Sequence, residues 1–403
     1  MRFPLPSRSF SRRHHEKGKK NETLWQGSFQ ILQDEKTEAI GEFPRRVQLG
    51  DVLGITPTHK ILASANGIVE QHEDNNQKYF KLTQDGNLET KALYIEPNLD
   101  SNGFLNLLEK NGIYSLDFPQ TALWNYLSAF AKVSDSELVL STHTNRISPN
   151  YTKILQTDFA KEIVALEQFL SSIFPNKKII SFLEPSKNKF LSKYKFPLGK
   201  PEYFLQKALK KNIYGEIQSD KSKMFFLGGE TIWHLIRALY YDIPFTKRHL
   251  AVECVDRSGR VDGRERYFLI SNGQSFRFLD KIFFKKYKYI SLNSFNKSSR
   301  IMMRSEEYFY NIYKDADLIL SVNHPKKNIE LPCTECNDCD AICPTHANPQ
   351  ALIHNRSKFY FQSCIECGLC DFYCPSGIDF RSKIKLAKET LSEANQEREH
   401  IHA

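Results

Sequence analysis

"CTECNDCDAICP", residues 333–344, returns 31 residues later as "CIECGLCDFYCP", residues 364–375. Each copy reads C-x2-C-x2-C-x3-C-P, so Cys333, Cys336, Cys339 and Cys343 are matched by Cys364, Cys367, Cys370 and Cys374. Eight of the nine cysteines of a 403-residue chain fall within this one 42-residue segment. Thiolates crowded in this way bind metal in a reducing interior; disulfides need an oxidising compartment and gain nothing from so tight a repeated spacing. Structural zinc takes paired C-x2-C knuckles set well apart, which three cysteines plus a fourth before proline do not provide. The chain is therefore expected inside the cell.

Three cysteines at steps of three wrap a short loop around one face of an iron–sulfur cube. The fourth, just ahead of proline, is turned away from that loop, and in two-cluster ferredoxins it completes the other cluster. This reading assigns Cys333, Cys336, Cys339 and Cys374 to a first [4Fe–4S] cluster and Cys364, Cys367, Cys370 and Cys343 to a second. Asn337 and Gly368 occupy matching places, and both residue types tolerate the left-handed backbone of a tight loop. The loops differ in charge: Glu335, Asp338 and Asp340 surround the first, Glu366 and Asp371 the second. Negative charge opposes the addition of an electron, so the first cluster is expected at the lower potential. The ninth cysteine, Cys254 in "LAVECVDRSG", reads as a buried structural thiol.

Outward from this segment, the length implies about two to four domains, and 40% apolar with 26% charged residues is a soluble composition. Residues 1–40 read as a basic, flexible segment. Over 41–97, "RRVQLGDVLG", "HKILASANGIVEQ" and "KYFKLTQDG" alternate in short runs broken at Gly50-Asp51, Asn66-Gly67 and Asp85-Gly86, the pattern of hairpins in a small β-sandwich. Over 98–245 the period changes. Helices "FLNLLEKNG" and "QTALWNYLSAFAKV", strand "SELVLSTH", helix "DFAKEIVALEQFLSSIF", strand "KKIISFLEP", helix "PEYFLQKALKKN" and strand "KMFFLGGE" predict a Rossmann-like unit with a parallel sheet. Gly228-Gly229 before "TIWHLIRALYY" serve either a phosphate at the helix start or close backbone packing, and packing is the favoured reading. "KRHLAVECVD", "RERYFLISNG" and "QSFRFLDKIF" over 246–300 suggest a β-grasp-like module. A helical two-cluster domain over 301–385 and a polar tail over 386–403 follow.

The net charge of +9 is uneven. Seven Lys/Arg stand against Glu16 in the first twenty residues, and eight lysines against Glu202 in 186–211. A solvated basic surface is the plain reading; anionic lipid or an acidic partner is the functional one. No nucleic-acid module accompanies the charge, so no nucleic-acid partner is expected. Nothing approaches the run of apolar residues a membrane span needs, and none of the residues forms a recognisable hydrolytic or acid–base set.

The order of sandwich, α/β unit, β-grasp module and two-cluster segment resembles the C subunit of the Rnf-type ion-translocating electron-transport complex. The resemblance covers roughly residues 40–385 and rests on the two cysteine motifs and on "GDVLG…HKILASANGIVE", similar to that family's lipoyl-like hairpins. It implies a multidomain α+β chain: lipoyl-like sandwich, α/β domain like the flavin subunit of respiratory complex I, β-grasp module of the SLBB type and two-cluster ferredoxin-like domain. It further implies a peripheral place on the cytoplasmic side of the inner (plasma) membrane, without a transmembrane helix of its own. Partners would be the membrane subunits of such a complex and ferredoxin or another electron carrier. FMN and NADH sites are implied in the α/β unit. There the chain departs from the family: "NGIYSLDFPQTALW" keeps Phe118-Pro119 but only Gly112 of the glycines, and Asp117 would repel a flavin phosphate. "STHTNRISPNY" and "LNSFNKSSRI" stand where acidic and glycine-rich stretches are expected. The expectation is an electron-transfer subunit with a degenerate FMN/NADH site. The alternatives are a soluble flavin-containing NADH dehydrogenase and a ferredoxin-like docking module for another redox enzyme.

Overall fold

A computed structural model describes residues 28–74, 77–85, 92–116, 120–143, 151–183, 223–255, 266–277, 287–292, 300–303, 305–315, 317–322, 330–343, 345–353 and 374–388. Leu209, Leu279, Ile282, Cys364, Glu366, Gly368, Cys370 and Asp371 are described between them. The architecture is mixed α and β, with several small sheets and helices packed around them. Among the described residues no helix is long and apolar enough to cross a membrane.

The N-terminal body consists of two antiparallel sheets. One runs β1 (Ser28–Leu32), β7 (Gln77–Gln84), β6 (Gly67–Asp74), β3 (Arg45–Val47); the other runs β2 (Glu38–Ala39), β4 (Val52–Ile55), β5 (Lys60–Leu62). Alternate residues face inward, as the two-residue period of a strand requires: Phe29 and Ile31 from β1 meet Phe80 and Leu82 from β7, with Val47, Leu53, Ile61 and Val69. The expected flexible segment 1–40 thus ends too late, because β1 belongs to this sheet and donates the Gln30 N–H to Gly273 O (2.9 Å). Five alternating residues behind a basic run are too short a signal to stand out in sequence.

The α/β unit follows. A parallel sheet in the order β10 (Met224–Leu227), β8 (Glu137–Ser141), β9 (Lys178–Phe182) is surrounded by α1 (Ser101–Lys110), α2 (Leu123–Lys132), α3 (Tyr151–Asp158), α4 (Ala160–Ile173) and α5 (Gly229–Tyr241). Strands alternate with helices in the chain, and buried, nearly all-apolar strands such as β10 are what a parallel sheet covered by helices demands. The expected helix at 201–212 lies outside the described residues, Leu209 excepted.

A third, mixed sheet runs β12 (Arg266–Ser271), β11 (Lys247–Val255), β15 (Asp317–Ser321), β13 (Tyr289–Leu292), β14 (Arg300–Met303). Here two expectations are corrected. Among the described residues of "QSFRFLDKIF" there is no strand: Ser275 makes an isolated bridge to Phe309, and Leu279 and Ile282 are helical. Phe276, Leu279 and Ile282 are spaced by three, a helical stripe that competes with the apparent alternation. The module also does not end at 300, since β15 lies at the centre of the sheet, parallel to β11 and antiparallel to β13. The α/β unit and this sheet share one core, running from Phe104 through Leu250 and Cys254 to Leu318 and Leu320. Cys254 is fully buried in that core.

The cysteine-bearing segment has a small core of its own. Ala347, Ala351, Ile378, Phe380 and Ile384 pack with Cys339 and Cys370, drawn from α6 (Asp338–Ile342), α7 (Gln350–Ile353) and a helical stretch over 380–388.

Candidate metal centre

Cys333, Cys336, Cys339 and Cys374 line one small, open-sided hollow. Thr334, Asn337, Gln350, Pro375, Ser376, Ile378 and Phe380 complete its wall. Cys374 comes from the second repeat, the other three from the first. Two contacts tie it there: Ser376 Oγ donates to Pro332 O (3.0 Å), and the Leu331 N–H donates to Ser376 O (2.8 Å). For the second set, Cys364 is half-buried and Cys370 buried; burial is the main cause that raises the Cys364 thiol, and Cys343 makes a smaller contribution; Cys367 lies outside the described residues.

The two halves repeat each other in backbone as well as in sequence. Glu335 and Asn337 are left-handed, with φ of 54° and 61°; 31 residues on, Glu366 and Gly368 have 53° and 76°. Asp340 Oδ1 accepts the Gln350 N–H (3.0 Å), and Asp371 Oδ1 accepts the Arg381 N–H (2.8 Å). The Ala347 N–H donates to Cys343 Sγ (3.2 Å), and the Ile378 N–H to Cys374 Sγ (3.4 Å). Each pre-proline sulfur is therefore held by an amide four residues on, and amide donors to sulfur favour the thiolate that a metal needs. The left-handed residues turn the backbone tightly at matching places in the two halves.

Three of the thiols, Cys339, Cys374 and Cys364, are poorly disposed to ionise without a metal. Burial pushes Cys339 up to about 12, with Asp340, Cys336 and Cys374 adding to the effect. Burial likewise raises Cys374, against the pull of the Ile378 and Ser376 amides. Burial raises Cys364, opposed by Lys388. Cys333, Cys336, Cys339 and Cys374 share one hollow, one thiol of the four being supplied by the second repeat. Among the described residues no three His, Cys, Asp or Glu side chains converge to hold a single metal ion. A four-iron cube asks for a different arrangement, one thiolate on each of four separate irons.

The charges around the two halves are unlike. Lys388 Nζ donates to Glu366 Oε1 (2.7 Å) and to Cys364 O (3.0 Å), with only 10% of its side-chain surface exposed. Arg381 lies over the second loop: a Cβ on Gly368 would stand 2.2 Å from Arg381 Nη2. Sequence reasoning passed over both cations because they lie beyond the cysteine motif. The signal was available, since the 31-residue register extends through Asp340/Asp371 to Gln350/Arg381.

At the start of α5 the described residues do not fit a flavin or nucleotide phosphate. The Gly229 N–H donates to His143 O (2.9 Å), and a Cβ on Gly229 would lie 2.7 Å from Tyr151 Cβ and 2.8 Å from Thr142 O. Glu230 in the first turn is buried and paired with Arg248, and Thr231 Oγ1 accepts the Leu116 N–H (3.0 Å). Protein groups thus fill the place a phosphate would need, and the glycine serves close packing. Gly112, left-handed at φ 60°, is packed against Leu62. Asp117, Phe118 and Pro119, with 144–150 and 293–299, lie outside the described residues.

The chain matches no protein-family model and no curated protein sequence.

Proposed function

We propose that this chain is an electron-transfer subunit that carries two [4Fe–4S] clusters, in an Rnf-like, membrane-associated oxidoreductase complex. The observation that carries the reading is that Cys374, from the second repeat, lines the same hollow as Cys333, Cys336 and Cys339 from the first. The first cluster would be held by those four, the second by Cys364, Cys367, Cys370 and Cys343. Bound clusters would supply one-electron chemistry, while this chain's residues set burial, charge and hydrogen bonding to the sulfurs. In the same reading the sandwich is lipoyl-like, the α/β unit is a remodelled flavin-subunit fold and the mixed sheet is of the SLBB type. Electrons would pass to or from ferredoxin or another carrier, with the chain seated peripherally against membrane subunits on the cytoplasmic side. The filled start of α5 weighs against FMN and NADH binding by the family's usual route.

The test is an anaerobic visible spectrum of the purified chain, before and after NADH with and without FMN, and then with dithionite. The expected result is a broad absorbance that bleaches with dithionite alone. Well-folded protein without iron absorbance would end the reading. Bleaching by NADH plus FMN would favour a self-sufficient, flavin-dependent NADH dehydrogenase.

A further inference from the structure

We infer that the second-repeat site, built on Cys364, Cys367 and Cys370, holds an electron more tightly than the first, and that Lys388 is the residue that sets the difference. The inference rests on the proposed two-cluster reading. Its starting point is the 31-residue register, which pairs every position of one half with a counterpart in the other. Glu335 and Glu366 correspond, as do Asp340 and Asp371, so these acids cancel from the comparison. Among the other charged positions, Asp338 stands against Leu369, Asn348 against Asp379, Gln350 against Arg381, Leu352 against Lys383, His354 against Lys385, Arg356 against Ala387 and Ser357 against Lys388. The first half then carries one acid and one cation of its own, the second one acid and four cations. The difference is three charges in favour of adding an electron to the second half.

Position makes the lysine the decisive member. Its ammonium contacts both the Cys364 carbonyl (3.0 Å) and Glu366 (2.7 Å), and both side chains are largely withdrawn from water, at 10% and 16% exposed. A charge held there is weakly screened. By contrast Cys336 and Glu335 of the first half are exposed, where solvent weakens whatever charge surrounds them. The neighbouring pair Lys383–Glu330 is more exposed, at 41% and 44%, and neutral as a unit, so it adds little to either half. An electron supplied by a one-electron carrier would therefore come to rest on the second half, with the first half as its entry or exit.

The experiment is an anaerobic redox titration of the full chain, followed by electron paramagnetic resonance. Two unequal couples are expected. Asp338→Asn should raise the lower couple alone, which assigns it to the first repeat. Lys388→Met should lower the upper couple alone, by about a tenfold change in its one-electron equilibrium, or about 59 mV. Lys388→Arg should leave it in place, and Glu366→Gln should raise it. If Lys388→Met fails to assemble, Glu366→Gln decides: a couple that does not rise overturns the inference. Equal couples in the parent chain, or a Lys388→Met shift common to both, would overturn it as well. Absence of any iron–sulfur signal would instead defeat the two-cluster reading itself.

Discussion

Arg248 places a guanidinium in the shared core of the α/β unit and the mixed sheet. Nε and Nη2 donate to the two oxygens of Glu230 (2.8 Å each), and Nη1 donates to Ile312 O (3.1 Å) and Asp315 O (3.3 Å). A buried pair of this kind adds little net stability over apolar residues, but removing one member leaves a charge with no compensation. Arg248→Met should therefore lower unfolding free energy by about 3–5 kcal/mol, and Arg248→Met with Glu230→Leu by much less. Urea midpoints at neutral pH read both. The same core governs acid stability. Burial holds His249 down to about 4, and His59, stacked on Tyr313, down to about 4 as well. Below the ordinary value of 6.5 the unfolded chain takes up these protons and the folded chain does not. Stability is thus fully present above 6.5 and is lost as pH falls toward 4. Asp315 works the other way, since burial raises it to about 6 and folding gains as pH falls from there toward 3.8. Burial holds His234 well below the ordinary value too, so three histidines outweigh one carboxyl and the urea midpoint should fall between pH 7 and pH 5. His249→Gln should flatten that slope by about 2 kcal/mol over the interval, and an unchanged slope would show that His249 carries none of it.

Elements differ in how openly the sequence announces them. The strand–helix alternation of β8, α4, β9, β10 and α5 is plain in the text because each element carries its own period and its own stop signals. β15 is equally plain as an apolar run, "DLILS", yet nothing in that run says it will lie between β11 and β13. Its place is decided by which strand faces remain to be covered, and no local pattern encodes that. The stretch around Phe276 shows the opposite failure, where residues spaced by three also alternate and only the tertiary fit chooses. For α5 the ambiguity of Gly228-Gly229 lay between a phosphate cradle and close packing, and the contacts of Gly229 with Tyr151 and Thr142 belong to packing. Gly229→Ala should accordingly cost about 1–3 kcal/mol in thermal or urea unfolding, the range for forcing an extra methyl into a filled site. FMN binding, if measured in parallel, should be equally absent before and after the change. A parent chain that bound FMN and lost it with the methyl would show the glycine to be a phosphate residue instead.

For the whole molecule, the question is whether the two cysteine halves are one unit or two beads on a string. Spacing alone names eight thiols as candidates and the motifs show the acids among them; what the motifs leave out is the two cations, Arg381 and Lys388, which arrive from a helical stretch after them. The hydrogen bonds from Ser376 to Pro332 and from Leu331 to Ser376 tie the end of the second repeat to the start of the first. Crossed and uncrossed assignments then diverge under a single substitution. In the crossed arrangement Cys374→Ala disables the site of Cys333, Cys336 and Cys339, while the site of the second repeat keeps all its ligands. Iron content and visible absorbance should fall to about half, and the surviving couple should be the one that Lys388 controls. In the uncrossed arrangement the same change disables the second-repeat site, and the survivor should instead answer to Asp338. Cys343→Ala must give the mirror result, because it occupies the equivalent position 31 residues earlier. Combining each alanine with Lys388→Met and with Asp338→Asn reads the assignment from which potential moves, even where iron loss is incomplete.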